Sequence, residues 1–345
     1  MYITGGSSSN RSPQFIGTAN PTGNTINVYP WTQGTGFGTR LTSPATMPTL
    51  GQHLAFSTDL KNVGVADEWP PYQNVYPFST SSGIGTRYAN PASGIGSNTW
   101  GIAWSRDNDS ICITAASAPR VNMYNFTSGT GFGTRRSNPT SVPTSTAFSV
   151  SFNPTNTHTL FASGSPTAYF YVYPFNVSTG FGSRLTNPAT MPSGTCENAA
   201  FSRDGLDIVV GSTLTPWILA YPFSSISGIG TKYTNPVSLP PPSSRGASFS
   251  NNGRLLGYAG IDSPHTCVYP WTSGTGFGSK FSNPATLPTG AGVSCMFSTF
   301  DTDFGVGHVT SPYLSVYAMT STAYGTKYSN PATMPSSESN GCAFI

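Results

Sequence analysis

The chain has 345 residues, of which 38 are glycine and 30 proline, with 13% aromatic side chains, only 8% charged ones and a formal net charge of +3. So few charges exclude a nucleic-acid binder that gathers Lys and Arg on one face. The aromatic content argues for a packed core in spite of the glycine and proline, and this composition runs evenly from end to end with no linker that would divide the chain.

The first residues, Met1 to Asn10, lack the basic and apolar regions of a signal peptide, and no apolar run reaches membrane-spanning length. Neither membrane insertion nor secretion through a signal peptide is expected. Five cysteines (Cys112, Cys196, Cys267, Cys295, Cys342) are odd in number and show no CxxC spacing, so they read as buried free thiols rather than as a disulfide framework or a zinc site.

From Val28-Tyr-Pro-Trp31 onward the chain repeats. The tyrosines fall at 29, 76, 124, 173, 221, 269 and 317, a period of 47 to 49 residues. Four short strand signals per period predict propeller blades rather than a helical solenoid. Strand a ends in an aromatic residue and Ser, as in Ala199-Ala-Phe-Ser202, and an Asx-Gly turn follows at Arg203-Asp-Gly205. Strand b is β-branched, as in Ile208-Val-Val210, and strand c is Val-Tyr-Pro-[Phe/Trp]. The fourth, strand d, carries Gly-[Phe/Ile]-Gly-[Thr/Ser]-[Lys/Arg]-aromatic and ends at Asn-Pro.

The strand a aromatics recur at 56, 104, 152, 201, 249, 297 and 344, nearly always 20 residues before the tyrosine, and only Phe344 has none after it. The two ends therefore share a blade. The prediction is an all-β, seven-bladed β-propeller of four-stranded antiparallel blades, closed by a C-terminal strand a against N-terminal strands b to d. Blade 1 comprises 341–345 with 10–45. The others span 50–92, 98–140, 145–189, 196–237, 244–285 and 291–332, and residues 1–9 form a surplus tail.

The Phe-Ser-x-Asp-Gly strand, followed by a small-residue strand and an aromatic one, resembles the WD-repeat and related propeller families, although Tyr-Pro stands where Trp-Asp would be. The element Gly-Phe-Gly-Thr-Lys-Tyr-Ser-Asn-Pro-Ala-Thr-Leu-Pro is similar to a repeat of uncharacterised propellers in tailed bacteriophage genomes. That resemblance implies a non-enzymatic accessory virion component of capsid or tail, acting in assembly or host attachment. Its partners would be other virion proteins, copies of itself or host-surface glycans. A cytoplasmic, lectin-like propeller with one aromatic glycan pocket per blade, built on residues such as Trp31 and Phe78, is the alternative.

Candidate binding residues fall in two groups. Cations recur at one repeat position, Arg40, Arg87, Arg135, Arg184, Lys232, Lys280 and Lys327, where they form a girdle or defend an edge strand. Blade-specific loops carry Asp67, Glu68, Trp69 and Tyr72, then Arg245, then Asp301 and Asp303. No cofactor is expected. The Gly-x-Gly-Phe-Gly stretches precede no helix and read as bulges, not phosphate loops. Four histidines at unrelated repeat positions give no metal spacing, although His53 is placed to line the channel. A propeller hydrolase would need charged groups converging on that channel, where strand a offers mostly Ala, Gly, Ser and Cys.

Overall fold

A computed structural model describes residues 14–345; the surplus tail 1–9 and the first residues of the blade 1 segment, 10–13, lie outside the described residues. Seven four-stranded sheets form the blades. In blade 1 the innermost strand is Gly341–Phe344, followed outward by Gln14–Ala19, Ile26–Thr32 and Gly36–Phe37. The closing register sets Ile16 against Phe344 and Ala19 against Gly341. It extends by a reciprocal backbone pair between Phe15 and Ile345 at 3.0 Å in each direction. All five cysteines are free and buried.

Every residue of every strand b is buried, because both faces of the strand meet a neighbouring blade. The strand c tyrosines account for the period. Their rings are fully buried, and Tyr29, Tyr76, Tyr124, Tyr173, Tyr221 and Tyr269 each donate the hydroxyl to a carbonyl in the connection leading into their own blade. Tyr29, for example, reaches Thr333 O at 2.8 Å, on the far side of the chain termini.

The a–b turns differ from the two-residue form expected. In each, one residue of positive φ (Leu60, Asn108, Asn156, Gly205, Gly253 or Asp301) donates its N–H to the carbonyl three residues earlier. The preceding Ser or Asn side chain then closes the loop, as where Ser202 Oγ accepts from Asp207 N at 2.9 Å.

Strand d is shorter than expected, and strand c explains why. Where strand c carries proline (Pro30, Pro77, Pro174, Pro222, Pro270), the outer pairing lasts two residues. Proline has no N–H to offer the ladder, and its ring packs on the second glycine of Gly-x-Gly; a Cβ on Gly278 would lie 2.9 Å from Pro270 Cβ. Where Asn125 or Ala318 stands instead, strand d lengthens to Gly131–Arg135 and Tyr324–Lys327.

A second regularity sits between blades. The first residue of one strand b, the aromatic after its strand d and the ring at the end of the next strand c meet as a trio. Asp303 accepts from Tyr328 OH at 2.7 Å and Trp31 Nε1 at 3.1 Å, and so ties blade 7 to blade 1. Asp207 does the same with Tyr233 (2.6 Å) and Trp271 (3.1 Å). Between blades 6 and 7 the trio is wholly apolar, Leu255, Phe281 and Met319. At these three seams the trio is thus either fully hydrogen-bonded or fully apolar, which avoids the costly case of a half-paired buried polar group.

Two stability predictions follow, both measured by denaturant unfolding. Asp303→Leu alone strands the buried Trp31 Nε1 and the half-buried Tyr328 hydroxyl and should cost about 3 kcal/mol, whereas the triple change Asp303→Leu, Tyr328→Phe, Trp31→Met reproduces the apolar seam and should recover most of that loss; equal destabilisation of both would refute the trio. Phe344→Ala, which empties the edge contact with Trp31 (centroids 5.5 Å apart) in the closing blade, should cost about 3–5 kcal/mol.

Candidate functional site

Each strand a runs along the central channel, and the residue four places before its terminal aromatic stands at the channel mouth. Around the ring this position holds Asn340, Gln52, Trp100, Phe148, Glu197, Arg245 and Val293, seven different residues at one repeat position. They border a cavity of about 480 Å³. The next residue inward is small or hydrogen-bonding because neighbouring inner strands nearly touch: Asn198 Oδ1 accepts from Ala247 N, and Ser149 Oγ from Ala199 N, each at 3.0 Å. A Cβ on Gly341 would lie 2.7 Å from His53 Cα. The mouth residues are thereby held by a stitched inner ring.

Three kinds of chemistry divide this mouth. Glu197 and Arg245 form an ion pair at 3.0 Å. Trp100 and Phe148 stand edge to face with centroids 5.7 Å apart, and the buried Trp100 Nε1 has no partner among the described residues. On the third side Asn340 Nδ2 donates to Gln52 Oε1 at 3.1 Å, and Gln52 Nε2 donates to Glu68 Oε1 at 2.7 Å. Deeper in, His53 Nδ1 is sealed from solvent and unpartnered among the described residues.

Burial pushes the Glu197 carboxyl above its usual range, an effect the Arg245 guanidinium opposes. Glu68 is also raised, first by burial, then by the charge of Asp67, with the Gln52 hydrogen bond pulling the other way and Glu338 adding to the rise. Burial pulls His53 down to about 4, against a backbone hydrogen bond to Ile102. The imidazole is therefore neutral at neutral pH. Among the described residues no group of three or more His, Cys, Asp or Glu converges as a metal set.

The structure scatters the candidate residues of the sequence. Of the blade-specific set, only Glu68 and Arg245 come to the mouth. Asp67 is wholly buried and holds the blade entrance, accepting from Thr49 N (2.7 Å), Leu50 N (2.9 Å), Trp69 N (3.0 Å) and Asn74 Nδ2 (3.1 Å). Trp69 is exposed, and Tyr72 turns the b–c hairpin with φ of 68°. Asp303 belongs to the closing seam. Asp301 ties two hairpins on the opposite face through Asn251 N (2.6 Å) and Asn252 N (2.7 Å).

The cation girdle serves the blades themselves. Arg40 donates to Asn27 Oδ1 at 3.0 Å and Arg87 to Asn74 Oδ1 at 2.8 Å. Arg135, Arg184, Lys232 and Lys327 reach Asn138, Asn187, Asn235 and Asn330, the residues before the strand-ending prolines. Lys280 occupies the same repeat position, partly buried. The six aromatics at the end of strand c, from Trp31 to Trp271, and Met319 in their place in blade 7 are at most 8% exposed, so they form no glycan pockets.

The expectation that strand a brings mostly Ala, Gly, Ser and Cys to the channel, with no converging charges, is corrected at the mouth by Glu197, Arg245 and Trp100. Their signal was present: counting four residues back from each strand a aromatic finds one column that never repeats.

No protein-family model matches the chain, and no curated protein matches it. Solved structures do. A provisionally named 6-phosphogluconolactonase of Bacteroides fragilis superposes with a TM-score of 0.77 at 11% identity, over 98% of this chain and 99% of that one. The periplasmic gluconolactonase of Pseudomonas aeruginosa gives 0.72 at 16%, over 96% and 98%. A provisionally named 6-phosphogluconolactonase of Bacteroides uniformis gives 0.72 at 13%, over 96% and 99%. At such identities the likeness is one of fold. It corrects the expectation of a non-enzymatic virion component: these solved structures, which share the fold over 96% or more of this chain, are named as lactonases.

Proposed function

We propose that the protein hydrolyses an unphosphorylated sugar lactone bound at the Glu197–Arg245 mouth. The observation that carries this reading is the mouth column itself, seven unlike residues on a scaffold that otherwise repeats, comprising an ion pair of an exposed arginine and a half-buried glutamate, an aromatic corner and an amide–carboxylate chain. Aromatic faces take up the C–H face of a sugar, while amides and carboxylates receive its hydroxyls. Among the described residues Arg245 is the only cation lining this mouth and is already paired with Glu197, while Glu68 and Glu338 bring negative charge near Gln52. A phosphate would be repelled there, which favours the neutral lactone.

In this reading Glu197 holds the attacking water. The water oxygen adds to the lactone carbonyl as its proton passes to Glu197, and Arg245 stabilises the negative charge that develops on the carbonyl oxygen. The ring C–O bond then breaks, and the departing alkoxide takes the proton from Glu197, leaving a hydroxy acid. The names of the lactonase structures that share the fold support the reaction class.

Purified protein should open glucono-δ-lactone well above the uncatalysed rate in a pH-stat assay, and faster than its 6-phosphate; no acceleration of either would end this reading. Glu197→Gln should lower kcat/KM by about 10²-fold or more with an unchanged melting curve. Because the base works only when ionised and its pKa is raised, wild-type kcat/KM should fall as pH drops through that raised value. His53, neutral down to about 4, should contribute nothing to that limb.

A further inference from the structure

The opposite end of the channel opens into a second cavity of about 540 Å³. Its wall is the ring of aromatics that end strand a, and among the described residues the only charged side chains that line it are Arg106 and Arg203. No Asp or Glu side chain lines it among the described residues. The two arginines occupy one repeat position, directly after the strand a serine in blades 3 and 5, where the intervening blade 4 has Pro154.

Neither guanidinium makes an ion pair or hydrogen bond among the described residues, and the neighbouring carboxylates are engaged elsewhere. Asp107 receives Ser105 Oγ (2.5 Å) and Asn156 Nδ2 (2.8 Å). Asp204 receives Ser202 Oγ (2.6 Å) and Leu206 N (3.0 Å). Asp301, close enough to feel the charge of Arg203, is held by two backbone N–H groups. Residues 1–13 contain no Asp or Glu.

The Arg106 backbone is fixed on both sides, its N–H donating to Asn156 Oδ1 and its carbonyl accepting from Thr58 Oγ1, each at 3.1 Å. Burial, and then the charge of Arg203, pulls the Arg106 pKa to about 10. Two like charges are thus kept at the rim of an apolar cup with no acidic side chain bonded to either among the described residues, although acids stand beside each in sequence and Asp301 lies within electrostatic reach of Arg203. A bound anion would relieve both costs.

We propose that this mouth binds an organic anion, its carboxylate or phosphate held between Arg106 and Arg203 and its apolar body against the aromatic ring. Such a site is separate from the lactone mouth and does not depend on the function proposed there.

Isothermal titration of the full chain with benzoate, phenyl phosphate and neutral benzyl alcohol tests the proposal. At least one anion should bind, with benzyl alcohol about tenfold weaker or worse. Which of the two binds tighter assigns carboxylate or phosphate. Arg203→Gln, at an exposed position, should weaken the anion about tenfold with an unchanged melting curve, Arg106→Gln likewise, and Arg245→Gln at the far mouth should leave that affinity intact. Absence of binding at millimolar concentration, equal binding of benzyl alcohol, wild-type affinity in the Arg106→Gln, Arg203→Gln double variant, or loss of binding in Arg245→Gln would each overturn it.

Discussion

A phenolic hydroxyl that finds a carbonyl in the connection leading into its own blade is the bond on which this ring depends. Burial raises the pKa of the six strand c tyrosines that make this bond, so each stays a donor at any working pH, while the buried Tyr317 hydroxyl of blade 7 has no partner among the described residues. A buried hydroxyl without an acceptor is costly, so the carbonyl in the Ala-Thr-Met-Pro type of connection must sit where the phenol reaches it. That requirement fixes the angle at which one blade delivers the chain to the next. The Asp303 and Asp207 trios act at the same seams from the outer side.

This constraint made the fold legible. A side chain needed once per blade recurs once per blade, so the tyrosine period and the strand a aromatics give blade number, blade order and the shared closing blade directly. Outer-strand length was misread because it turns on Pro30 and its equivalents, which look like conserved furniture of strand c and act on strand d across the ladder. The seam trios were hidden for another reason. Asp303 and Trp31 come from opposite ends of the chain, and only closure of the ring brings them to 3.1 Å.

The mouth was illegible for the converse reason. Periodicity finds what repeats, and Glu197, Arg245 and Trp100 share a position while sharing no chemistry. Searching the irregular loops found Glu68 and Arg245 but also collected Asp67, whose carboxylate is spent on backbone N–H groups, and Asp303, spent on the closing seam. Repetition on the walls and variation at the rim follow from one division of labour. The stitched inner strands hold seven side chains in place, and because no blade depends on what those side chains are, each is free to differ.

That a neutral sugar lactone is held at this rim is tested most directly by a crystal structure of the Glu197→Gln variant soaked with glucono-δ-lactone. The account predicts an ordered ligand in the 480 Å³ mouth, its carbonyl oxygen on Arg245 and its ring against Trp100. Ligand ordered at the outer strands or in the opposite cup, with only water beside Arg245 and Trp100, would contradict it.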